Sequence, residues 1–176
     1  AGEVINCRCD LVASVDEDVA PGATETTDNA VPLAINYINS RPSNNDEQWL
    51  YKNAQKLKPI ANHEDVIIHG DPDGFEVENS QGARYDVSVN DVITYLKKSE
   101  NYHGGNIRLI SCSAGATKNG AAQQLADKLG VEVMAATRTA WITEDGQLDV
   151  YDKFTDIVTG ERLKIPGEWV IFYPRR

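Results

Sequence analysis

Cys112 and His69 are the two residues whose types and settings could carry covalent chemistry. Each closes a short apolar run and is followed by small residues: Val66-Ile67-Ile68 leads into His69-Gly70, and Ile107–Ser111 leads into Cys112-Ser113-Ala114-Gly115. A cysteine acts as a nucleophile when a base, a helix amino terminus or backbone amides favour its thiolate. Histidine, with an ordinary pKa near neutrality, can take the thiol proton and hand it to a leaving group. Small residues after Cys112 allow backbone N–H groups to approach a substrate carbonyl, as an oxyanion hole requires, and the amide of Gly70 could join them. The chemistry is that of acyl transfer through a thioester.

Apolar runs bounded by turn signals suit strands buried on both faces of a parallel sheet, and in open α/β sheets ligands bind beyond the carboxyl ends of the strands. The two runs therefore have to be neighbouring strands for His69 and Cys112 to meet. Between them, Asp71-Pro72-Asp73-Gly74 is a turn, and residues 75–85 form a small hairpin. Ser88 caps a helix with Asp91 three residues on and Val89, Val92, Ile93 and Leu96 as its buried stripe; Lys97 and Lys98 suit its carboxyl end. After Cys112 the pattern gives a helix from Lys118 to Leu129 closed by Gly130, then strands over Val131–Ala136 and Trp169–Tyr173. A hairpin through Trp141 and Leu148–Tyr151 lies between the last two strands. Upstream, Asn44 or Asn45 caps a helix that places Leu50, Ala54 and Leu57 on one face and stops at Pro59. Val31–Ile38 reads as a strand or a short helix, and Asp16–Ala30 as an acidic linker or loop. Strands alternating with helices make the chain α/β, with a mostly parallel central sheet flanked by helices in three layers.

At 176 residues the chain fits one domain with a tail. A net charge of -10 argues against a nucleic-acid partner, because phosphate binding needs clustered Lys and Arg. No apolar stretch is long enough to span a membrane, which argues against a membrane partner. Ala1-Gly2-Glu3 does not open a signal peptide, and a first residue of alanine fits a fragment of something longer. Three cysteines, Cys7, Cys9 and Cys112, make a poor disulfide framework, and the Cys7–Cys9 spacing is too short for a zinc knuckle. No metal or cofactor is expected. Synthesis in a reducing cytoplasm suits this composition.

The order of these features resembles the caspase-like cysteine peptidases, which include caspases, gingipain-type enzymes and the self-cleaving domains of large bacterial toxins. In that family a His-Gly pair closes one strand and a small residue plus Cys closes its neighbour, with a hairpin and a helix between. The resemblance covers about residues 62–141. It implies a three-layer caspase-like fold over residues 11–176 and a cysteine endopeptidase, a hydrolase whose nucleophile is Cys112 and whose catalytic histidine is His69. It also implies oxyanion amides from Gly70 and Cys112, and a protein or peptide substrate. The run from Val131 to Trp141 is loosely similar to the segment that lines the family's primary pocket, which makes Arg138 and Trp141 substrate-contact candidates; Asp71, in the turn after Gly70, is a third. The chain lacks the longer caspase motif around the cysteine, so caspase specificity does not transfer.

Residues 1–10, AGEVINCRCD, resemble the closing segment of phage head-morphogenesis (minor head) proteins, which often end in Asn-Cys-Arg-Cys. That resemblance implies a remnant of a phage-type carrier with the domain behind it as a toxin or effector cargo, delivered or secreted and restrained by an immunity or inhibitor protein. The other reading of these residues is a tail or an edge strand. Other readings of the site stand beside the peptidase. A cysteine at a strand end is more often a small buried hydrophobe, which would leave a caspase-like binding or interaction module. A Cys-dependent deamidase or acyl transferase could use the same sheet. Arg138 could instead belong to a surface salt bridge. His63, before its strand, and His103, in Tyr102-His103-Gly104-Gly105, read as surface and turn residues.

Overall fold

The computed structural model describes residues 3–4, 35–38, 45–79 and 81–176. The remainder of residues 1–10, with Cys7 and Cys9, the linker at Asp16–Ala30, Asn44 and the start of the Val31–Ile38 segment lie outside the described residues. Among the described residues there are three helices and twelve strands, an α/β fold. No helix among them is long and apolar enough to cross a membrane.

The central sheet has five strands: β2 (Ile35–Tyr37), β3 (His63–Ile67), β7 (Asn106–Ile110), β8 (Val133–Ala136) and β12 (Trp169–Phe172), in the order β12-β8-β7-β3-β2. The first four run parallel and β12 is antiparallel to β8, so the sheet is mixed. Of the Val31–Ile38 segment, the described part forms a strand over Ile35–Tyr37.

Because successive side chains of a strand point to opposite faces, each central strand serves two cores. Val66 and Ile68, Ile107 and Leu109, and Val133 and Ala135 meet α2 (Val89–Lys98) and α3 (Ala121–Leu129) in one apolar cluster. Ile67, Ile110 and Ala136 meet Leu50 and Ala54 of α1 (Asn45–Ala54), Leu57 and the strand β9 (Ala140–Ile142) in the other.

The local signals act as their chemistry dictates. Ser88 Oγ accepts the Asp91 amide at 3.1 Å while Asp91 Oδ2 accepts the Ser88 amide at 2.8 Å, a complete capping box; the Ser88 hydroxyl, donating to Asp91 Oδ2 at 2.6 Å, and then the Ser88 amide hold the Asp91 carboxyl below its usual pKa. Val89, Val92, Ile93 and Leu96 are the buried face. Gly130 ends α3 in the left-handed conformation (φ 70°), where its amide reaches Ala126 O.

Two further sheets extend the expected architecture. β4 (His69–Gly70), β5 (Phe75–Glu78) and β6 (Arg84–Val87) form an antiparallel ribbon. β1 (Glu3–Val4), β9, β10 (Leu148–Thr155) and β11 (Arg162–Pro166) form a four-stranded sheet in that order. Glu3–Val4 is thus an edge strand on β9, antiparallel to Trp141 and Ile142. The β10–β11 hairpin was not anticipated beyond Tyr151.

Candidate active site

The parallel pairing of β3 with β7 aligns Asp65 with Arg108, Val66 with Leu109 and Ile67 with Ile110. One further bond, from Ile68 N to Ile110 O at 3.3 Å, closes the ladder. His69 and Cys112 follow Ile67 and Ile110 by two residues each, just past the carboxyl ends of these adjacent strands. Both residues are enclosed: His69 is 4% exposed, and Cys112 is 0% exposed. Cys112 packs in the apolar cluster with Ile67, Ile110, Ala136 and Trp141.

At Ile68 the backbone leaves the central sheet, and His69-Gly70 pairs with Phe75-Glu76 in the ribbon. Gly70 lies so close to the cysteine strand that a Cβ there would stand 2.4 Å from Ser111 Oγ and 2.8 Å from Gly74 O. Only glycine permits this approach. The turn that follows is fastened by Asp71, whose Oδ1 accepts the amides of Asp73 at 2.8 Å and Gly74 at 2.9 Å. Asp71, a sequence candidate for substrate contact, is exposed and engaged in this turn.

The loop after Cys112 is clasped to the end of β8. Ser113 adopts a left-handed backbone (φ 55°), uncommon for a side-chain-bearing residue. Its amide donates to Arg138 O at 3.0 Å, and the Gly115 amide donates to Ala136 O at 2.8 Å. The loop runs to Gly120, so α3 begins at Ala121, three residues later than the sequence pattern gives. The helix has no side-chain cap; instead the Ala121 amide donates to Pro72 O at 3.0 Å, joining the histidine turn to the helix that follows the cysteine.

Beside these loops opens a cleft of about 690 Å³, whose walls include Pro72, Ser113, Arg138, Asp152 and Gly167. Arg138 is therefore one residue-contact away from the cysteine loop, but its charge is engaged: Nη1 donates to Asp152 Oδ2 at 2.9 Å. Asp152 also accepts the Thr139 amide at 3.0 Å and hydroxyl at 2.8 Å. Burial raises the Asp152 pKa, yet Thr139 and Arg138 outweigh it and hold the carboxyl below its usual value. Trp141 is not on the cleft wall; it is buried, stacked on Tyr151 with ring centroids 4.8 Å apart, and its indole N–H donates to Tyr151 O at 2.8 Å.

The other histidines lie at the amino ends of the strands. His63, expected on the surface, is part-buried, with Nε2 3.0 Å from Glu132 Oε1. His103 is exposed, its Nδ1 3.0 Å from Glu64 Oε1, and the buried Glu64 carboxylate also accepts the amides of His103 and Gly105. Among the described residues no group of three or more His, Cys, Asp or Glu could hold a metal ion.

Sequence reasoning missed Ser111 and Asp152. Ser111 is wholly buried, and among the described residues its hydroxyl has no hydrogen-bond partner. Its position directly before Cys112 and its small side chain were the available signal. Asp152 carried none, because it reaches Arg138 only through the folding back of β10.

The family model described as Domain of unknown function (DUF8616) matches residues 34–150, and the chain belongs to that family. No curated protein matches the chain. No solved structure matches it.

Proposed function

We propose that this chain is a cysteine endopeptidase of caspase-like architecture, with Cys112 as nucleophile and His69 as general acid and base. In this reading the central sheet and the helices on its two faces are the three layers of that fold. The Cys112 thiol passes its proton to His69 and its sulfur bonds to the scissile carbonyl carbon. The carbonyl oxygen takes up the electron pair and is held by the amides of Gly70 and Cys112. Collapse expels the amine, which receives the proton from His69, and leaves a thioester. Water, deprotonated by His69, then releases the acid and regenerates the thiol. If residues 1–10 are a carrier remnant, the substrate is a protein met after delivery of the domain as cargo.

The observation that supports the reading is the alignment of β3 with β7, which ends two residues before His69 and Cys112, at the strand ends where α/β folds build their sites. The glycine required at position 70 lets the backbone pass close to the cysteine strand. Because Cys112 is wholly buried, turnover requires the cysteine loop to open towards the adjoining cleft.

That same burial favours a second reading, in which Cys112 is a packing residue and the domain acts as a binding module through its surface. An electrophilic peptide probe for cysteine peptidases, followed by mass mapping, separates the two. The peptidase reading expects one adduct, on Cys112, lost in Cys112→Ala and slowed in His69→Ala with the fold intact. Adducts on Cys7 and Cys9 alone, from a folded chain, would establish the binding module instead.

A further inference from the structure

The β10–β11 hairpin reaches out from the body and is two-faced. All five residues of β11 are exposed, and at the tip Ile157 and Val158 are 95% and 89% exposed. Pairing of β10 with β11 sets Lys153 directly opposite Lys164 and Thr155 opposite Arg162, so three cations share one face. Two of them ride on rings: Lys153 Nζ lies 4.3 Å from the Trp141 centroid and Lys164 Nζ 4.4 Å from that of Tyr151. The other face carries the exposed apolar side chains Phe154, Leu163 and Ile165.

Like charges directly opposed across strands are destabilising. The arrangement is conspicuous in a chain where 27 acids face 17 basic residues, since carboxylates were plentiful. Yet among the described residues none of Lys153, Arg162 and Lys164 is in an ion pair. Burial, then Lys164 and Arg162, pull the Lys153 pKa down. Asp149 sits at the inner end of this face, and Asp156, at the tip, is spent on the amides of Val158 and Thr159. β11 also ends its sheet, so its outer edge has no strand partner among the described residues and offers free backbone N–H and C=O groups.

We infer that the outer edge of β11, with the Lys153–Arg162–Lys164 face beside it, is a docking site for an extended acidic strand of a partner protein. A strand added to β11 presents alternate side chains to the two faces, so the edge reads a pattern in which carboxylates alternate with apolar residues. A second copy of this chain fits poorly, because antiparallel self-pairing brings Arg162 and Lys164 against their own counterparts. Nucleic acid gains nothing from a free backbone edge or an apolar face, and it meets the repulsion of a chain with net charge -10. Attraction is local, confined to about 10 Å at ordinary ionic strength, which makes it selective for a strand already on the edge.

The test titrates the full chain with a short synthetic peptide alternating Glu with Val. Saturable binding is expected, about tenfold weaker in Lys153→Glu/Lys164→Glu and lost when the peptide is N-methylated along its bonding edge. The matching peptide alternating Lys with Val should not bind. If charge reversal unsettles the hairpin, seen as a lowered thermal midpoint, Lys164→Gln replaces it with an expected loss of about threefold. Absence of binding, equal binding of the acidic and basic peptides, or undiminished binding in the folded variants overturns the inference. Tighter binding of a single-stranded oligonucleotide or of anionic vesicles overturns it too.

Discussion

Asp65 and Arg108 stand directly opposite each other across β3 and β7, buried and joined by two hydrogen bonds, Nε to Oδ1 at 2.5 Å and Nη2 to Oδ2 at 2.6 Å. Arg108 Nη2 also donates to Lys58 O at 2.9 Å. Their sequence offset of 43 is the offset from Ile67 to Ile110, and again from His69 to Cys112. A slip of one residue between the strands would put the two charges on opposite faces, and a slip of two would strand them unpaired in an apolar setting. The pair in the middle of the strands thereby fixes the register in which their carboxyl ends arrive.

Breaking this pair on one side should be costly. Arg108→Met leaves the Asp65 carboxylate buried without its partner and should lower the unfolding free energy by about 3–5 kcal/mol. Asp65→Leu combined with Arg108→Met should recover most of that loss in denaturant titrations. A double variant as unstable as the single one would remove the pair from its role in register.

Space between the two strand ends sets the next expectation. Gly70→Ala drives a methyl group against Ser111 Oγ and Gly74 O and should cost about 1–3 kcal/mol. Ser111→Ala removes a buried hydroxyl without a partner and should stabilise the fold by about 1 kcal/mol. Thermal melts of the two variants moving in the same direction would contradict this geometry.

Arg138 holds the cysteine loop through its carbonyl and the cleft wall through its guanidinium. The Arg138–Asp152 pair is more than a third exposed and, as such pairs go, contributes about 1 kcal/mol or less. Asp152→Ala should accordingly speed alkylation of Cys112 by about two- to fivefold, measured by mass spectrometry on the folded chain. An unchanged rate would mean that the thiol is shielded by the core instead.

Acid should act through the carboxyl end of α3. Bonds from the guanidinium and the backbone amide of Arg175 hold the Asp127 carboxyl down at about 2. A depressed carboxyl pKa stabilises the fold above the unfolded value of about 3.9 and loses that effect as pH falls towards the folded value. Arg175→Ala should therefore melt earlier than the parent at neutral pH, with the difference shrinking between pH about 4 and about 2. Added salt should shrink it as well, because the pair is exposed.

Local chemistry was legible where one short stretch held the whole signal. Ser88 with Asp91 announced α2, Gly130 announced the end of α3, and Val66–Ile68 announced a buried strand. Pairings that depend on distant residues were not legible. His63 reads as a surface residue until β3 brings it to Glu132, and Trp141 reads as a pocket residue until β10 stacks Tyr151 upon it. β11 was missed although Arg162-Leu163-Lys164-Ile165 alternates between turn signals, because a strand exposed on both faces lacks the apolar content used to recognise one. The register of β3 on β7, with Asp65 opposite Arg108, is a relation between strands that periodicity within either one does not express.

Between the histidine strand and the cysteine strand the chain completes a ribbon and a helix before it returns. A polypeptide emerging from the ribosome exposes His69 well before Cys112, and the intervening loop must close before the ladder can form. The clasp that seats Ser113 on Arg138 waits longer still, for β8 to follow. If the proposed dyad acts, no stretch shorter than this whole excursion can carry it, so a nascent chain would bring its thiol past the synthetic machinery unarmed.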